Sequence, residues 1–174
     1  GVATAKLAMD DGRGVDMRVT VLDDASFTLR FAVPQAAAAD VVTTYLDWPM
    51  ADGEDFYGSG ERFDTAALRG SFRAMQFEAV ASESAYNEAH VPVPLAISTR
   101  GYGVFVDELR PGILDFGTIN EDQARVEFAH DALTVHLLTA PSPIEVLTPY
   151  VELTGKPNMP SWWAFAPQQW RNVV

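Results

Sequence analysis

The 174-residue sequence contains no cysteine. Disulfides and thiolate metal sites are therefore excluded, while the compartment stays open, because many exported proteins also lack cysteine. Basic residues are scarce: 12 Lys and Arg stand against 24 Asp and Glu, giving a net charge of −12. There is no basic run, so nucleic acid is not an expected partner, and the acidity serves solubility. No apolar run approaches the roughly 20 residues that cross a bilayer, and no membrane partner is expected. Gly1 to Lys6 lacks the charged start and apolar stretch of a signal peptide, and no initiator Met is present. The chain is expected to begin after a cleavage, after a tag, or inside a longer reading frame.

What is present suits an ordinary globule. Apolar residues make up 48% of the chain and charged residues 21%, and a chain this long buries roughly 70% of its unfolded surface. Val15, Met17, Val19 and Val21 alternate with Asp16, Arg18 and Thr20, as in a half-buried strand. The stretch Leu22-Asp23-Asp24-Ala25 supplies a turn, and Phe27, Leu29 and Phe31 resume the alternation, which predicts a hairpin. Gln35 to Ala39 reads as a loop or a short helical turn. Further strands are expected at Pro94 to Ser98, Tyr102 to Asp107, Ile113 to Phe116, Arg125 to Ala129 and Leu133 to Leu138. Turn residues separate them and no helix pattern intervenes, so the expected fold is mainly β, an antiparallel sandwich.

The pattern changes after Pro141. Ser142-Pro143-Ile144-Glu145 reads as a helix start, and Ile144, Leu147 and Val151 fall on one face. Gly155 is a candidate helix terminator, and Pro157 blocks continuation. Pro149 predicts either a kink or two short helical pieces, the second capped by Thr148. The last fifteen residues carry three of the four tryptophans. Aromatics at that density are normally buried, which suggests that whatever covers them lies outside residues 1–174.

Three segments, in order, resemble glycoside hydrolase family 31, the α-glucosidase and α-xylosidase family. The first runs Phe56-Tyr57-Gly58-Ser59-Gly60-Glu61-Arg62-Phe63-Asp64, then Leu68-Arg69-Gly70, with Ser59 where the family usually has Leu. The second is Pro92 to Asp107, with Ser98 and Gly101-Tyr102-Gly103-Val104. The third is Tyr150-Val151-Glu152-Leu153-Thr154-Gly155-Lys156-Pro157, followed by Pro160 and Trp163-Ala164-Phe165. The resemblance implies a galactose-mutarotase-like β-sandwich over residues 1–141 and a linker helix over 142–158. Residues 159–174 would then be a stub, the first strand of a (β/α)8 barrel. It further implies retaining hydrolysis of terminal α-linked glucosides or xylosides, with both catalytic aspartates on later barrel strands. No catalytic residue is then expected in this chain, which alone should be inactive. The carbohydrate would be met through the barrel, and a homo-oligomer is left open. The alternative is a stand-alone carbohydrate-binding or structural sandwich.

Two groups of residues are candidates for substrate contact. If Ala164 to Gln169 forms the first barrel strand, Trp170, Arg171 and Asn172 lie at the end where barrel enzymes place their chemistry. They would line the sugar pocket or brace the barrel mouth. The resemblance also implies that a sandwich loop reaches over the active site, here Ser84 to His90. Tyr86, Asn87, Glu88 and His90 would recognise sugar there, or the loop is simply solvated. Glu61 and Arg62 are read as structural, and Gly58 and Gly60 as a bulge or tight loop. His130 and His136 have no partner at metal-ligand spacing, so no metal is expected, and no cofactor.

Overall fold

Alternating apolar residues commit most of this chain to strands, because a strand places every second side chain on one face. The computed structural model describes residues 1–8, 13–34, 40–62, 64–76 and 91–165. Over these run β1 (Val2–Ala8), β2 (Gly14–Val21), β3 (Ser26–Ala32), β4 (Thr44–Pro49), β5 (Phe56–Glu61) and β6 (Phe72–Met75). They are followed by β7 (Val91–Ser98), β8 (Tyr102–Val106), β9 (Gly112–Phe116), β10 (Gln123–Phe128) and β11 (Ala132–Thr139). One sheet has seven strands in the order β1-β2-β3-β11-β8-β7-β5; the other has four, β4-β10-β9-β6. Neighbouring strands are antiparallel throughout.

The core lies between the sheets. Val104 and Val106 of β8, Leu133 and Val135 of β11, Leu114 and Phe116 of β9, and Val126 and Phe128 of β10 are all buried there. Phe56 is its centre. Its ring stacks on Phe116 with centroids 4.9 Å apart and meets Trp48 and Tyr102 edge-on at 6.3 and 6.4 Å. A second, smaller cluster forms on the outer face of the seven-stranded sheet, where Leu95, Ile97 and Leu138 receive Val146.

The expected hairpin is β2–β3, with Asp23 Oδ1 accepting the Ala25 N–H at 2.8 Å in its turn. The five later strands form where expected, although β7 begins earlier and β10 stops at Phe128. Three strands escape the sequence reading: β1, β4 and β6. In β1 every residue is exposed, so burial imposes no alternation on it. β6 is short and buries Arg73, which inverts the usual polarity of a strand face.

The linker is helical in two pieces, a 3-10 turn (Pro143–Val146) and helix α1 (Leu147–Thr154). The division falls between Val146 and Leu147 rather than at Thr148. Pro149 is therefore in the first turn of α1, where a missing N–H breaks no helical hydrogen bond. The Ser142 hydroxyl bonds the Glu145 carboxylate at 2.6 Å and caps no backbone N–H. Gly155 ends α1 with φ +95° and donates to the Val151 carbonyl at 2.9 Å. Beyond it, Trp162–Phe165 forms a further 3-10 turn. Ala164 and Phe165, the expected start of a strand, belong to this turn, in which Ala164 N–H bonds the Ser161 carbonyl at 2.9 Å. The rest of that strand, and the Gln35 to Ala39 loop, lie outside the described residues. Among the described residues no helix is long and apolar enough to cross a membrane.

Candidate functional site

The glycine-rich signature sits on β5, at the edge of the seven-stranded sheet, where the pairing with β7 shifts register between Gly58 and Gly60. This is the bulge that the sequence suggests. Ser59, between the glycines, is buried with φ +65°. A Cβ on Gly60 would lie 2.0 Å from the Val91 carbonyl oxygen, so only glycine lets the two backbones approach this closely. After the bulge, Arg62 Nη2 donates to the Ala74 carbonyl of β6 at 2.6 Å and ties the two sheets together. Glu61 is exposed. Arg73 of β6 is buried and bonds Asp64 at 2.6 Å through Nη1, while its Nε and Nη2 have no hydrogen-bond partner among the described residues. The signature is thus a packing and cross-sheet device.

One end of the sandwich is knitted by carboxylates. Asp55 Oδ1 accepts the N–H groups of Phe56, Leu68 and Arg69 at 2.7, 3.0 and 2.8 Å. Arg69 returns across the same loops, donating to the Ala51 and Glu54 carbonyls at 3.1 and 2.9 Å. Glu54 is buried and accepts from the Ser98 hydroxyl and from Ala51 N–H, the latter at 2.7 Å. Burial opposes its ionisation, but the bonds from Ser98, Ala51 and Tyr102 outweigh that and hold its carboxyl below the usual range. Burial first, then the neighbouring Glu54 carboxylate, pushes the Tyr102 phenol up to about 12. Trp48 Nε1 donates to the Tyr102 hydroxyl at 3.1 Å. Sequence reading missed this network because Glu54 and Asp55 look like ordinary loop acids beside Gly53. The available signal was Ser98 and Tyr102 inside the second family-like segment.

His130 and His136 have structural partners. His130 Nδ1 contacts Glu108, and its Nε2 lies 3.1 Å from Asp131. His136 Nδ1 shares a hydrogen bond with the Thr28 hydroxyl at 2.9 Å, and its ring stacks on Phe105. Burial lowers the pKa of His136, which favours the neutral ring. Among the described residues no group of three or more His, Asp or Glu could hold a metal ion.

Neither group of candidate sugar-contact residues falls in the described part of the chain. Tyr86, Asn87, Glu88 and His90 lie between β6 and β7, and Trp170, Arg171 and Asn172 follow the last 3-10 turn; all are outside the described residues. The strands on either side of the first group belong to different sheets, β6 to the smaller and β7 to the larger. Before the second group, Trp162 is 90% exposed and Trp163 78%, with Phe165 and Met159 also open. Trp162 meets Phe165 edge-on at 6.3 Å, a contact within the turn itself.

The geometry defines a class: an antiparallel two-sheet sandwich whose linker helix packs on the outer face and leads into an uncovered aromatic segment. The chain belongs to the family described as "Glycosyl hydrolase 31 N-terminal galactose mutarotase-like domain", whose model matches residues 16–115. It is 30% identical over 167 residues to the alpha-xylosidase XylQ of Lactiplantibacillus pentosus, covering 86% of this chain and 21% of that protein. It is also 30% identical over 116 residues to an alpha-glucosidase of Saccharolobus solfataricus, covering 64% of this chain and 17% of that one. The chain therefore spans about a fifth of the length of the curated relatives it matches. Among solved structures, the cycloalternan-forming enzyme from Listeria monocytogenes superimposes with a TM-score of 0.79 at 14% identity, over 94% of this chain and 22% of that one. A Flavobacterium johnsoniae GH31 dextranase gives 0.64 at 20% identity, over 92% and 22%. At these identities the superpositions speak for the fold.

Proposed function

We propose that this chain is the non-catalytic N-terminal sandwich of a retaining α-glycosidase that hydrolyses terminal α-linked glucosides or xylosides. The observation that carries this is the family match over residues 16–115 together with the 30% identity to an alpha-xylosidase. In this reading the sandwich braces a barrel, and the segment after α1 passes into that barrel. Three exposed aromatics support it, since each buries roughly 150–250 Å² when packed, on the order of 10 kcal/mol in all. The loop bearing Tyr86, Asn87, Glu88 and His90 lends recognition groups to the sugar pocket. Trp170, Arg171 and Asn172 line it from the barrel side, Trp by stacking on a sugar face and Arg by donating to hydroxyls.

Retaining hydrolysis needs two carboxyl groups roughly 5–5.5 Å apart, one attacking and one shuttling the proton. The reading assigns both to polypeptide outside residues 1–174. It is tested by assaying residues 1–174 beside the full-length polypeptide on p-nitrophenyl α-xyloside and α-glucoside. Turnover is expected from the longer form only, and turnover by the short form would overturn the assignment. In the full-length enzyme, Tyr86→Ala and Glu88→Ala are expected to raise KM about tenfold or more; unchanged kinetics would remove the loop from the pocket.

A further inference from the structure

The outer face of the large sheet changes character along its width. Over β7, β8 and β11 it is apolar and carries the linker on Leu95, Ile97, Phe105 and Leu138. Over β1, β2 and β3 it is polar. Leu29 and Phe31 pack inward, so Thr28 and Arg30 point outward, and strand pairing extends that assignment to β2 and β1. One outward row runs Thr4, Arg18, Arg30, Thr134 through paired residues of β1, β2, β3 and β11. Lys6 and Asp16 pair in the row on one side, and Thr20 and Thr28 in the row on the other.

Arg18 and Arg30 are thus direct cross-strand partners, with Cα atoms about 4.5–5.5 Å apart. Both are exposed. Like charges directly opposite each other destabilise a strand pair, and no counter-charge relieves this one. Among the described residues neither arginine has a hydrogen-bond or ion-pair partner. The rest of the chain is different, with 24 acids available to 12 bases. Arg73 bonds Asp64, Arg110 bonds Glu108 and Arg125 bonds Asp47, while Arg69 donates to backbone carbonyls. Asp16, in the next row, lies 3.9 Å from Lys6 instead. Beside the arginines is a depression of about 410 Å³, which Thr4 and Lys6 also line. Two guanidinium forks side by side, flanked by a hydroxyl and an ammonium, present only hydrogen-bond donors and positive charge.

We propose that Arg18 and Arg30 form a binding site for a tetrahedral oxyanion, a phosphate or sulfate group, on the outer face of β1, β2 and β3. Its charge matches the two cations that the fold leaves unpaired, and it turns their repulsion into a shared contact. A single carboxylate suits one fork, whereas a tetrahedral group has oxygens for both. A net charge of −12 repels a long polyanion, so the ligand is small: the free anion, or the ester group of a phosphorylated or sulfated sugar. The proposal does not depend on the catalytic reading. Its residues are separate from those assigned to the sugar pocket, and its test does not read activity.

The test is calorimetric titration of residues 1–174 with inorganic phosphate, glucose 6-phosphate and glucose, at constant ionic strength set with sodium chloride. Saturable binding of phosphate with a Kd below about 1 mM is expected. Arg18→Gln and Arg30→Gln should each weaken it about tenfold or more, since each removes charge-assisted hydrogen bonds. Lys156→Gln removes one charge from an exposed position beyond α1 and should bind like the parent. Equal affinity for the two phosphates assigns the site to the free anion; at least about tenfold tighter glucose 6-phosphate, with no heat from glucose, assigns it to a sugar ester. Both results support the proposal. No saturable heat from either phosphate overturns it. So does equal weakening by Lys156→Gln, which reduces the effect to overall charge, and so does glucose binding as well as its phosphate. All three substituted side chains are exposed, and circular dichroism checks that each variant folds. Should the short form not fold, the same substitutions are titrated in the full-length polypeptide, with the same outcomes deciding.

Discussion

Gly60→Ala separates a packing role for the glycine signature from a merely flexible one. The added Cβ would meet Val91 O at 2.0 Å, Val93 N at 2.7 Å and Pro92 Cα at 3.0 Å, all backbone atoms of β7 that no rotamer change can move. Non-bonded heavy atoms settle near 3.5–4.0 Å, so β5 and β7 have to part by about 1 Å or more. Overpacking of that kind costs about 1–3 kcal/mol, and forcing alanine to φ +94° adds about 1–2 kcal/mol. The expected loss is therefore about 2–5 kcal/mol. Gly53→Ala is the control: φ there is +69°, but nothing lies within 4 Å of the new Cβ. It carries only the conformational part, about 1–2 kcal/mol. With a urea slope of about 2 kcal/mol/M, Gly60→Ala lowers the unfolding midpoint by roughly 1–2.5 M and Gly53→Ala by about 0.5–1 M. Tryptophan fluorescence reads both. Equal midpoint shifts would refute the close-approach account of the bulge.

Phe56→Ala removes the ring around which Trp48, Tyr102 and Phe116 pack, and should cost about 3–5 kcal/mol, or roughly 10 °C in Tm by calorimetry; a loss under about 2 kcal/mol would mean that its neighbours collapse into the space. Glu54, with its pKa lowered in the folded state, contributes stability that is fully present above the unfolded value of 4.5 and lost as pH falls through the folded one. Glu54→Gln should therefore be less stable at pH 7 but show a flatter decline between about pH 5 and 3, and curves parallel to the parent's would count against the network. Replacing Trp162 and Trp163 together by serine should change the stability of residues 1–174 by less than about 0.5 kcal/mol in urea titration, since both rings are exposed. A loss above 1 kcal/mol would place them against their own sandwich.

What the sequence shows depends on how strictly burial enforces its pattern. β11 reads clearly because Leu133 and Val135 enter the core between the sheets while Thr134 and His136 take the other face, His136 against Phe105. β1 does not, because no residue of Val2–Ala8 is buried and its register comes from backbone pairing with β2. Arg73 hides β6, since a strand of four residues with an inward guanidinium breaks the rule by which strands are recognised. The linker is legible down to its Gly155 stop, but the break before Leu147 is not. Ser142 suggests a capped helix start, with Pro149 expected to kink the helix or divide it at Thr148, whereas the Ser142 hydroxyl bonds the Glu145 carboxylate and the first turn tightens to 3-10. The Glu54 network stayed hidden for another reason. Its partners, Ser98 and Tyr102, lie more than forty residues away, on strands that only the fold brings together.

The buried acids also bear on where the chemistry resides. A group that delivers a proton to a leaving sugar at neutral pH needs a raised pKa, and a carboxylate nucleophile needs an oxygen free to attack. Glu54 and Glu108 have their ionised forms stabilised instead: hydrogen bonds outweigh burial in each, from Ser98 and Ala51 in one and from Arg110, Leu109 and His130 in the other. Asp115, buried like Glu54, accepts the N–H groups of Thr118 and Ile119 at 3.2 and 3.1 Å, one on each oxygen. These carboxylates are loop fasteners. Each accepts at least one backbone N–H of its own turn, beside side-chain partners such as the Ser98 hydroxyl on Glu54, and opening one for attack would release the loop it holds. A sandwich that uses its buried acids in this way gains rigid ends at the cost of reactivity, which agrees with the non-catalytic role proposed for it.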